Sequence, residues 1–230
     1  YLDSAASDSR VKNGKAALRK HRRTLDAIER KYGVDKETVV AVWGLESAYG
    51  AVRGDVPVIE ALATLSFDGR RGRFFEKQLI AALKILQSGD TVPRNMVGSW
   101  AGAMGHTQFI PTSFQSFAVD FTGDGRRDIW SDDPSDALAS TAAYLQRSGW
   151  TKGQPWGVEV KIPASFDFNL ANRKITKAPS AWARLGVVDL DGKPVRTFGK
   201  ASVCPFYTSD AADEQVSVDP HSQPLFHPKH

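Results

Sequence analysis

The sequence predicts a mainly α protein of the α+β class, in which a helical core is followed by a small region of strands and loops. Two observations support this prediction. Apolar residues recur at helical spacing through most of residues 11–148. From Trp150 onward, proline, glycine and short alternating stretches such as residues 158–162 replace that spacing. For 230 residues we therefore expect a core domain over residues 1–150 and a smaller C-terminal region over 151–230.

Six helices are expected in the core from apolar periodicity and turn residues. They span residues 11–32, 36–49, 58–65, 73–86, 111–119 and 134–147. Asp35 and Gly50 suit the two ends of the second helix, and Pro111 and Pro134 suit first helical turns. The apolar stripes expected to face the core comprise Val11, Leu18, Leu25, Ile28 and Tyr32 on the first helix, and Phe75, Leu79, Leu83 and Leu86 on the fourth. The polar tail over residues 209–230 is expected to be flexible.

Composition is that of an ordinary soluble protein, with 41% hydrophobic and 24% charged residues and a net charge of +4. The densest basic run, residues 18–23, is interpreted as a solvated helix face. Because no nucleic-acid motif accompanies it, we expect no nucleic-acid partner, whereas an anionic polymer such as a cell wall stays open. Cys204 is the single cysteine and forms neither an internal disulfide nor a zinc site.

Membrane and export signals are not evident in the sequence. No apolar run approaches the roughly 18 residues that cross a bilayer, so we expect no transmembrane segment in this chain. The chain begins at Tyr1 without a methionine. We therefore expect a processed or trimmed piece, whose export signal or lipid anchor would lie outside the given sequence.

Glu46 lies in a predicted helix that is otherwise almost entirely apolar. Its only ionisable companion in residues 39–50 is Tyr49, and the apolar residues on several sides of this helix are Val39, Val40, Val42, Trp43 and Leu45. That pattern is typical of a helix buried within a domain. A buried carboxylate loses hydration, which raises its pKa, so it is either paired with a cation such as Arg53 or kept to donate a proton. This segment alone leaves both interpretations open.

Residues 98–114, the glycine-rich segment, combine small, polar and aromatic side chains. Glycine lets backbone approach a ligand or a neighbouring helix closely, while Ser99 and Gln108 offer uncharged hydrogen-bond groups. Trp100 adds flat apolar surface. This combination suits a sugar groove, although a tight helix junction has the same composition. His106 is interpreted as a surface or hydrogen-bonded residue rather than a catalytic base.

Five motifs in this order resemble the B-type lytic murein transglycosylases, which are peptidoglycan lyases of the bacterial envelope. The motifs are GLESAYG at 44–50, EALATLSF at 60–67, GSWAGAMGHTQFIPTSF at 98–114, AVDFTGDGRRDIW at 118–130 and DALASTAAYL at 136–145. The resemblance implies a lysozyme-like helical catalytic core with a groove for the glycan strand. It also implies that Glu46 is the catalytic acid, that Ser99 and Gln108 line the groove, and that Tyr144 and Tyr1 flank the cleft.

The resemblance sets further expectations about the setting of this activity. The partner would be peptidoglycan glycan strands, the location would be the periplasm or cell envelope, and the chain would be a monomer that needs no cofactor for catalysis. A lipid anchor to the outer membrane in the full-length precursor is left open. After residues 200–203 the family continues into an aromatic strand and a closing helix, whose pattern residues 204–230 do not show. We therefore expect part of the cleft wall to differ or to be missing.

A single acid is chemically sufficient if the substrate supplies the attacking group. Glycoside hydrolysis normally uses two carboxylates, and Asp55, Glu60 and Glu37 are not obvious partners for Glu46 in the sequence. An intramolecular hydroxyl needs no protein nucleophile and gains a high effective molarity. The hypothesis is that Glu46 protonates the leaving oxygen and then takes the proton of the muramyl C6 hydroxyl. A hydrolytic muramidase and a non-catalytic murein-binding protein are the alternatives.

Residues 120–130 begin like an EF-hand calcium loop. Asp120, Thr122 and Asp124 occupy loop positions that supply oxygens, Gly125 permits the sharp turn, and Arg126 offers its backbone carbonyl. Position twelve is Ser131 instead of the bidentate glutamate, so a twelve-residue loop is incomplete. The resemblance implies a longer loop, over residues 120–136, closed by Asp136 and lengthened around Ser131 and Asp132. Structural calcium and a metal-free turn with aspartate caps are both left open.

Overall fold

The structure is a computed structural model that describes residues 2–154, 157–196, 199–205 and 216–219. The chain falls into two compact units, one over residues 2–152 and one formed by the described residues from 153 onward. Within the described residues no helix combines the length and the apolar character needed to cross a membrane. The domain boundary expected at residue 150 stays a prediction.

Helices dominate the first unit, which confirms the mainly α prediction. The helices are α1 (Leu2–Ala5), α2 (Asp8–Lys20), α3 (Arg22–Tyr32), α4 (Lys36–Ser47), α5 (Val58–Asp68), α6 (Gly72–Gln87), α7 (Pro111–Phe117), α8 (Ser135–Arg147) and, in the second unit, α9 (Pro179–Arg184). Short 3₁₀ helices cover Pro93–Asn95 and Phe168–Leu170. The strands are β1 (Val56–Pro57), β2 (Val97–Gly98), β3 (Val158–Val160), β4 (Ser202–Pro205) and β5 (Val216–Asp219).

The single helix expected over residues 11–32 is wrong, because the chain breaks at His21 between α2 and α3. His21 has φ −104° and ψ 21°, and its ring packs edge-on against Trp43 of α4 with centroids 5.4 Å apart. Leu25 and Ile28 are fully buried as expected, but Val11 is 45% exposed. Arg19, Lys20, Arg22 and Arg23 are all exposed, which confirms that this basic run is a solvated face.

The stripe expected on α6 is wrong at Leu83, which is 49% exposed. The buried positions of this helix are Gln78, Ala81, Ala82 and Ile85. Helix α6 packs between α5 and α7, so contacts from two sides turn a face with small residues inward. Leucine at helical spacing therefore predicted the helix correctly and its buried face incorrectly.

Two apolar clusters form the core of the first unit. One surrounds Leu25, Trp43 and Leu138 on α3, α4 and α8. The other joins α5 and α6 to Met104, Phe109 and nearby residues of the glycine-rich segment. Tyr144 packs against both clusters. The glycine-rich segment is thus anchored to the helical core by its own apolar side chains.

The second unit contains an antiparallel sheet in the order β3, β5, β4. The strand predicted over residues 158–162 is confirmed for 158–160. Within the tail predicted from residue 209, Val216–Asp219 form β5, the central strand of the sheet, and the flexibility of the tail stays a prediction. Residues 209–215 and 220–230 lie outside the described residues. Helix α9 was not predicted, although Pro179 at its first position is a recognisable start signal.

Candidate active site

Glu46 lies on the last turn of α4 and is half-buried. The expectation that α4 is buried on several sides is wrong at Leu45, which is 39% exposed, while Val39, Val40 and Trp43 are buried. The helix is buried on one face only. Glu46 therefore sits at the boundary between core and surface, where its side chain is partly accessible.

The chain turns sharply directly after Glu46. Helix α4 ends at Ser47 rather than at Tyr49, and Ala48, Tyr49 and Gly50 all have positive φ, at 50°, 61° and 85°. Two of these three residues are not glycine, and such strain persists only where surrounding structure enforces it. Here the enforcing contact is Tyr49, whose hydroxyl donates to the carbonyl of Arg10 at 2.7 Å.

The ring of Tyr49 folds back against α4. A Cβ atom placed on Gly44 would lie 2.6 Å from the Tyr49 ring, so only glycine fits there. Trp43 also contacts Tyr49 edge-on, with ring centroids 5.9 Å apart. Trp43 and Gly44, which precede Glu46, therefore pack directly against Tyr49, which follows it.

Ser47 joins the end of α4 to the glycine-rich segment. Its hydroxyl donates to the carbonyl of His106 at 2.5 Å and accepts from the backbone N–H of Gly50 at 2.9 Å. Ser47 is only 2% exposed. The residue next to Glu46 is therefore bonded at once to the strained turn and to the segment predicted to line a groove.

His106 is buried and fully hydrogen-bonded, with 4% of its surface exposed. Nδ1 accepts from the indole N–H of Trp43 at 3.1 Å. Since an indole nitrogen only donates, Nδ1 carries no proton, and Nε2–H donates to the carbonyl of Ser131 at 2.7 Å. Burial lowers the pKa of His106. The residue is thus a neutral structural link, which agrees with the hydrogen-bonded interpretation and excludes a surface position.

Arg53 connects the same region to the loop that precedes α8. One of its nitrogens donates to the carbonyls of Trp130 and Ser131 at 2.7 and 3.0 Å. The other pairs with Asp132 at 3.0 Å. Ser131 and Asp132 therefore both bind Arg53, and Ser131 also binds His106.

Ser99 and Gln108 both have their side chains partly engaged by backbone. Ser99 Oγ accepts from the N–H groups of Ala101 and Ala103 at 3.3 and 3.0 Å. Gln108 Nε2 donates to the carbonyls of Arg53 and Gly105 at 3.0 and 2.8 Å. The Ser99 hydroxyl hydrogen and Gln108 Oε1 have no partner among the residues that the structure describes. Each side chain is thus held by backbone groups, and each has one hydrogen-bonding group available for a ligand.

The two predicted tyrosines differ in what the structure shows. Tyr144 is half-buried on α8, where its ring contacts Phe117 at 4.8 Å and Phe109 at 6.1 Å between centroids. It therefore packs beside the residue that follows Gln108. Tyr1 lies outside the described residues.

The carboxylates predicted to bind a metal do converge. Ligand oxygens of Asp120, Asp124 and Asp136 lie within 4.8 Å of one another. Asp136 is 2% exposed and accepts from the backbone N–H groups of Phe121, Thr122 and Asp128. Burial raises the pKa of Asp136, and the nearby charge of Asp120 acts in the same direction. Thr122 Oγ1 donates to Asp120, and the backbone N–H of Arg126 donates to Asp124.

Residues 1–218 match the family model described as the transglycosylase SLT domain. The chain belongs to this family. It is 38% identical over 154 residues to the membrane-bound lytic murein transglycosylase B of Escherichia coli K12. The aligned region covers 66% of this chain and 42% of that protein.

Solved structures agree with the assignment to the SLT family. SltB3 from Pseudomonas aeruginosa, in complex with NAG-NAM-pentapeptide, superposes on this chain with a TM-score of 0.87 and 48% sequence identity. The match covers 96% of this chain and 59% of the SltB3 chain. The Escherichia coli lytic transglycosylase Slt35, in complex with calcium, superposes with a TM-score of 0.78 and 32% sequence identity. This match covers 93% of this chain and 66% of the Slt35 chain. The SLT domain thus has the predicted lysozyme-like helical fold. The chain spans about half the length of the first relatives that it matches.

One polar cluster of this SLT domain was not predicted. Asp90 is 6% exposed and accepts from the backbone and side chain of Arg127 at 2.6 to 3.0 Å and from Ser88 at 2.5 Å. Burial favours the neutral acid, but these hydrogen bonds outweigh it and lower the pKa of Asp90. The pair joins the end of α6 to the loop of the aspartate cluster. An isolated aspartate 37 residues from its partner gave no sequence signal.

Proposed function

We propose that this SLT domain cleaves the β-1,4 bond between N-acetylmuramic acid and N-acetylglucosamine in peptidoglycan and leaves a 1,6-anhydro end. Family membership supports this, as do the names of the relatives. SltB3 was also solved with NAG-anhNAM-pentapeptide, at 47% identity and a TM-score of 0.86. The observation that carries the proposal is the half-buried Glu46, fixed between a strained turn and the glycine-rich segment.

Glu46 is the group that moves the proton in this proposal. It donates a proton to the glycosidic oxygen as the bond to C1 of the muramyl residue breaks. The resulting carboxylate takes the proton of the muramyl C6 hydroxyl, whose oxygen closes onto C1. The attacking oxygen belongs to the substrate, so the reaction gains from proximity and needs no water.

The absence of an obvious second acid on α4 supports a single-carboxylate mechanism. Glu37 is nine residues earlier on α4 and exposed, which places it about 14 Å away along the axis at 1.5 Å per residue. Two-carboxylate glycosidases keep these groups within about 9.5 Å. Asp55 and Glu60 are both exposed.

Ser99, Gln108 and Tyr144 would position the sugars. Ser99 has a hydroxyl hydrogen to donate and Gln108 an oxygen to accept, which suits the mixed hydroxyl and acetamido groups of the glycan. The half-buried Tyr144 would offer its hydroxyl at the edge of the cleft. Tyr1 is assigned to the cleft by resemblance alone.

The decisive experiment compares Glu46→Gln with Glu37→Gln on purified sacculi. Mass spectrometry of the released fragments reads the product directly. We expect anhydro ends from the wild type and from Glu37→Gln, and none from Glu46→Gln, although that variant still binds glycan fragments. Reducing ends would instead indicate a hydrolytic muramidase, and absence of any release from the wild type would indicate a murein-binding protein.

We further propose that Asp120, Asp124 and Asp136, with Thr122 and the carbonyl of Arg126, hold a structural calcium ion. Oxygen ligands 2.3 to 2.6 Å from calcium lie at most about 5 Å apart, and the three carboxylates meet this limit. The buried Asp136, whose pKa is raised, gains from a nearby cation. The ion would brace the loop before α8 and take no part in the chemistry.

The setting follows from the same substrate. We expect the domain to act as a monomer on glycan strands in the periplasm or cell envelope, with a lipid anchor of the precursor left open. Fractionation of cells that express the full-length gene product, followed by size-exclusion chromatography of the purified protein, tests both expectations.

A further inference from the structure

Helix α6 carries an exposed stripe that mixes basic and aliphatic side chains. Because its residues recur every three to four positions, they share one face of the helix. All of them are exposed, and they are Arg73, Glu76, Lys77, Ile80, Leu83 and Lys84. Ile80 is 48% and Leu83 49% exposed, while the same helix buries Gln78 to 2%. Two aliphatic side chains thus face solvent on a helix that turns a polar one inward.

A cavity of about 400 Å³ adjoins this stripe, between α6 and α7. Its lining includes Ile80 and Ala81 of α6 and Thr112 and Gln115 of α7. Gln78 Oε1 accepts from the N–H and from the hydroxyl of Thr112, both at 3.0 Å. Gln115 Nε2 donates to the carbonyl of Ala81 at 3.4 Å. These bonds hold the two helices together, so the walls of the cavity are fixed by the fold itself.

The rim of the cavity is positively charged. Arg73, Lys77 and Lys84 line it, and in the part of the chain that the structure describes none of them forms an ion pair. Glu76 is the single acid among the described residues that line it. A carboxylate can therefore bind these cations without displacing an existing ion pair.

The spacing of the charges along α6 matches that of an α-helix. Lys77 and Lys84 are seven residues apart, which is about 10 Å along the axis at 1.5 Å per residue, and Ile80 lies between them. A second helix laid along α6 has the same rise, so its acidic side chains two turns apart meet both lysines. The apolar side chains between those acids then contact Ile80 and enter the cavity.

Glu76 disfavours a uniformly negative ligand. It is exposed on the same stripe as Lys77, so a phosphate polymer or an anionic lipid surface meets a like charge there. A polypeptide can instead place a neutral or basic side chain opposite Glu76. The concave cavity likewise suits an inserted side chain better than a flat membrane surface.

We propose that the exposed stripe of α6 and the cavity beside it dock an acidic amphipathic helix of a partner protein. None of the residues that line this cavity belongs to the candidate active site. Docking there attaches the domain to a partner and leaves the residues predicted to bind glycan free. The inference goes beyond the proposed function and does not depend on it.

Binding of a designed peptide tests the proposal without turnover. The probe is a fluorescein-labelled, alanine-based helical peptide that has glutamates seven residues apart and leucines between them. The comparison peptide has glutamine in place of each glutamate. Fluorescence anisotropy should show saturable binding of the acidic peptide with a Kd of about 0.1 mM, and about tenfold weaker binding of the glutamine peptide. Absence of saturation up to about 1 mM, or equal binding of the two peptides, overturns the proposal.

Variants of the protein locate the bound peptide. Ile80→Glu places a carboxylate in the middle of the stripe and should abolish binding, because it repels the acidic peptide and removes an apolar contact. Val11→Glu, at a residue of α2 that is 45% exposed, is the matched control and should bind like the wild type. Lys77→Gln and Lys84→Gln should each weaken binding about threefold, whereas Arg23→Gln on α3 should not. Unchanged binding by Ile80→Glu would exclude this surface.

Two competitors distinguish a protein partner from other anionic ligands. Polyphosphate and vesicles of phosphatidylglycerol, each supplied at the same concentration of negative charge as the labelled peptide, should not displace it. Displacement by polyphosphate would assign the stripe to a phosphate polymer, and displacement by vesicles would assign it to a lipid surface. Either result overturns the proposal.

Discussion

The indole N–H of Trp43 donates to Nδ1 of His106 at 3.1 Å, and both side chains are buried. This bond joins the helix that carries Glu46 to the glycine-rich segment. Ser47 makes a second connection to the same residue through the backbone carbonyl of His106. Glu46 thus lies between two positions on α4 that are bonded to one partner, which fixes the backbone of the turn that carries it.

Replacing Ser47 by alanine should impair both stability and catalysis. The carbonyl of His106 and the N–H of Gly50 would each lose a buried partner, and such losses cost about 1 to 3 kcal/mol each. We expect the free energy of unfolding in urea to fall by about 2 kcal/mol and kcat to fall more than KM rises. Ser116→Ala, which removes an exposed hydroxyl bonded to Thr112, is the control and should change both quantities little.

The pH dependence of stability should report His106. Its pKa is lowered in the folded state by burial, so the unfolded chain binds the proton more readily. The stabilisation is therefore complete above the ordinary histidine pKa and is lost as the pH falls below it. The groups that face His106 are Arg53, Asp128 and Asp132.

We expect the free energy of unfolding to decrease between pH 7 and pH 5, and the decrease to be smaller in His106→Asn. His21 also has a lowered pKa, from burial and from Lys20, so His21→Asn serves as the comparison. Loss of the entire slope in His21→Asn alone would contradict the assignment to His106. Urea titrations at several pH values give the required curves.

Local patterns predicted most of the helices and the grouping of Asp120 with Asp124, because these depend on neighbours within a few turns, whereas Asp136 was added to that group by the family resemblance. The start of α4 after Asp35, the first position of α7 and the strand at residue 158 all carry such signals. What failed depends on contacts distant in sequence. The break at His21 follows from packing on Trp43, and β5 forms because two other strands flank it.

In the candidate site, too, local patterns were informative and contacts between residues distant in sequence could not be predicted. Glu46 was noticed because a carboxylate is exceptional in an apolar helix, but its role as the catalytic acid came from the family resemblance and stays a prediction. The roles of Ser47 and His106 could not be predicted, because a serine and a histidine 59 residues apart give no periodic signal. The lengthening of the loop around Ser131 and Asp132 stays a prediction, and the contacts of these residues with Arg53 required the three-dimensional arrangement.

Replacing Asp90 by asparagine should destabilise the first unit. Asp90 is the buried acceptor for both the backbone and the guanidinium of Arg127, and breaking a buried pair on one side costs about 3 to 5 kcal/mol. Because the side chain of Arg127 is 29% exposed, we expect the loss to lie at the lower end of this range. The free energy of unfolding in urea should fall by about 3 kcal/mol. Asp191→Asn breaks an exposed pair with Lys193 and should cost less than about 0.5 kcal/mol. Equal effects of the two variants would contradict the buried pairing.

Calcium should raise the melting temperature of the wild type, and Asp124→Ala should remove that increase. Asp124 is the suitable position because it is exposed and its carboxylate bonds only the N–H of Arg126 among the described residues, whereas Asp136 supports three backbone groups regardless of metal. A ligand at about 100 times its Kd adds about 2.7 kcal/mol, or roughly 5 °C or more for a protein of this size. Asp68→Ala, on the exposed end of α5, should keep the full increase. Identical melting curves of the wild type in calcium and in chelator would indicate a metal-free turn held by the hydrogen bonds of Asp120.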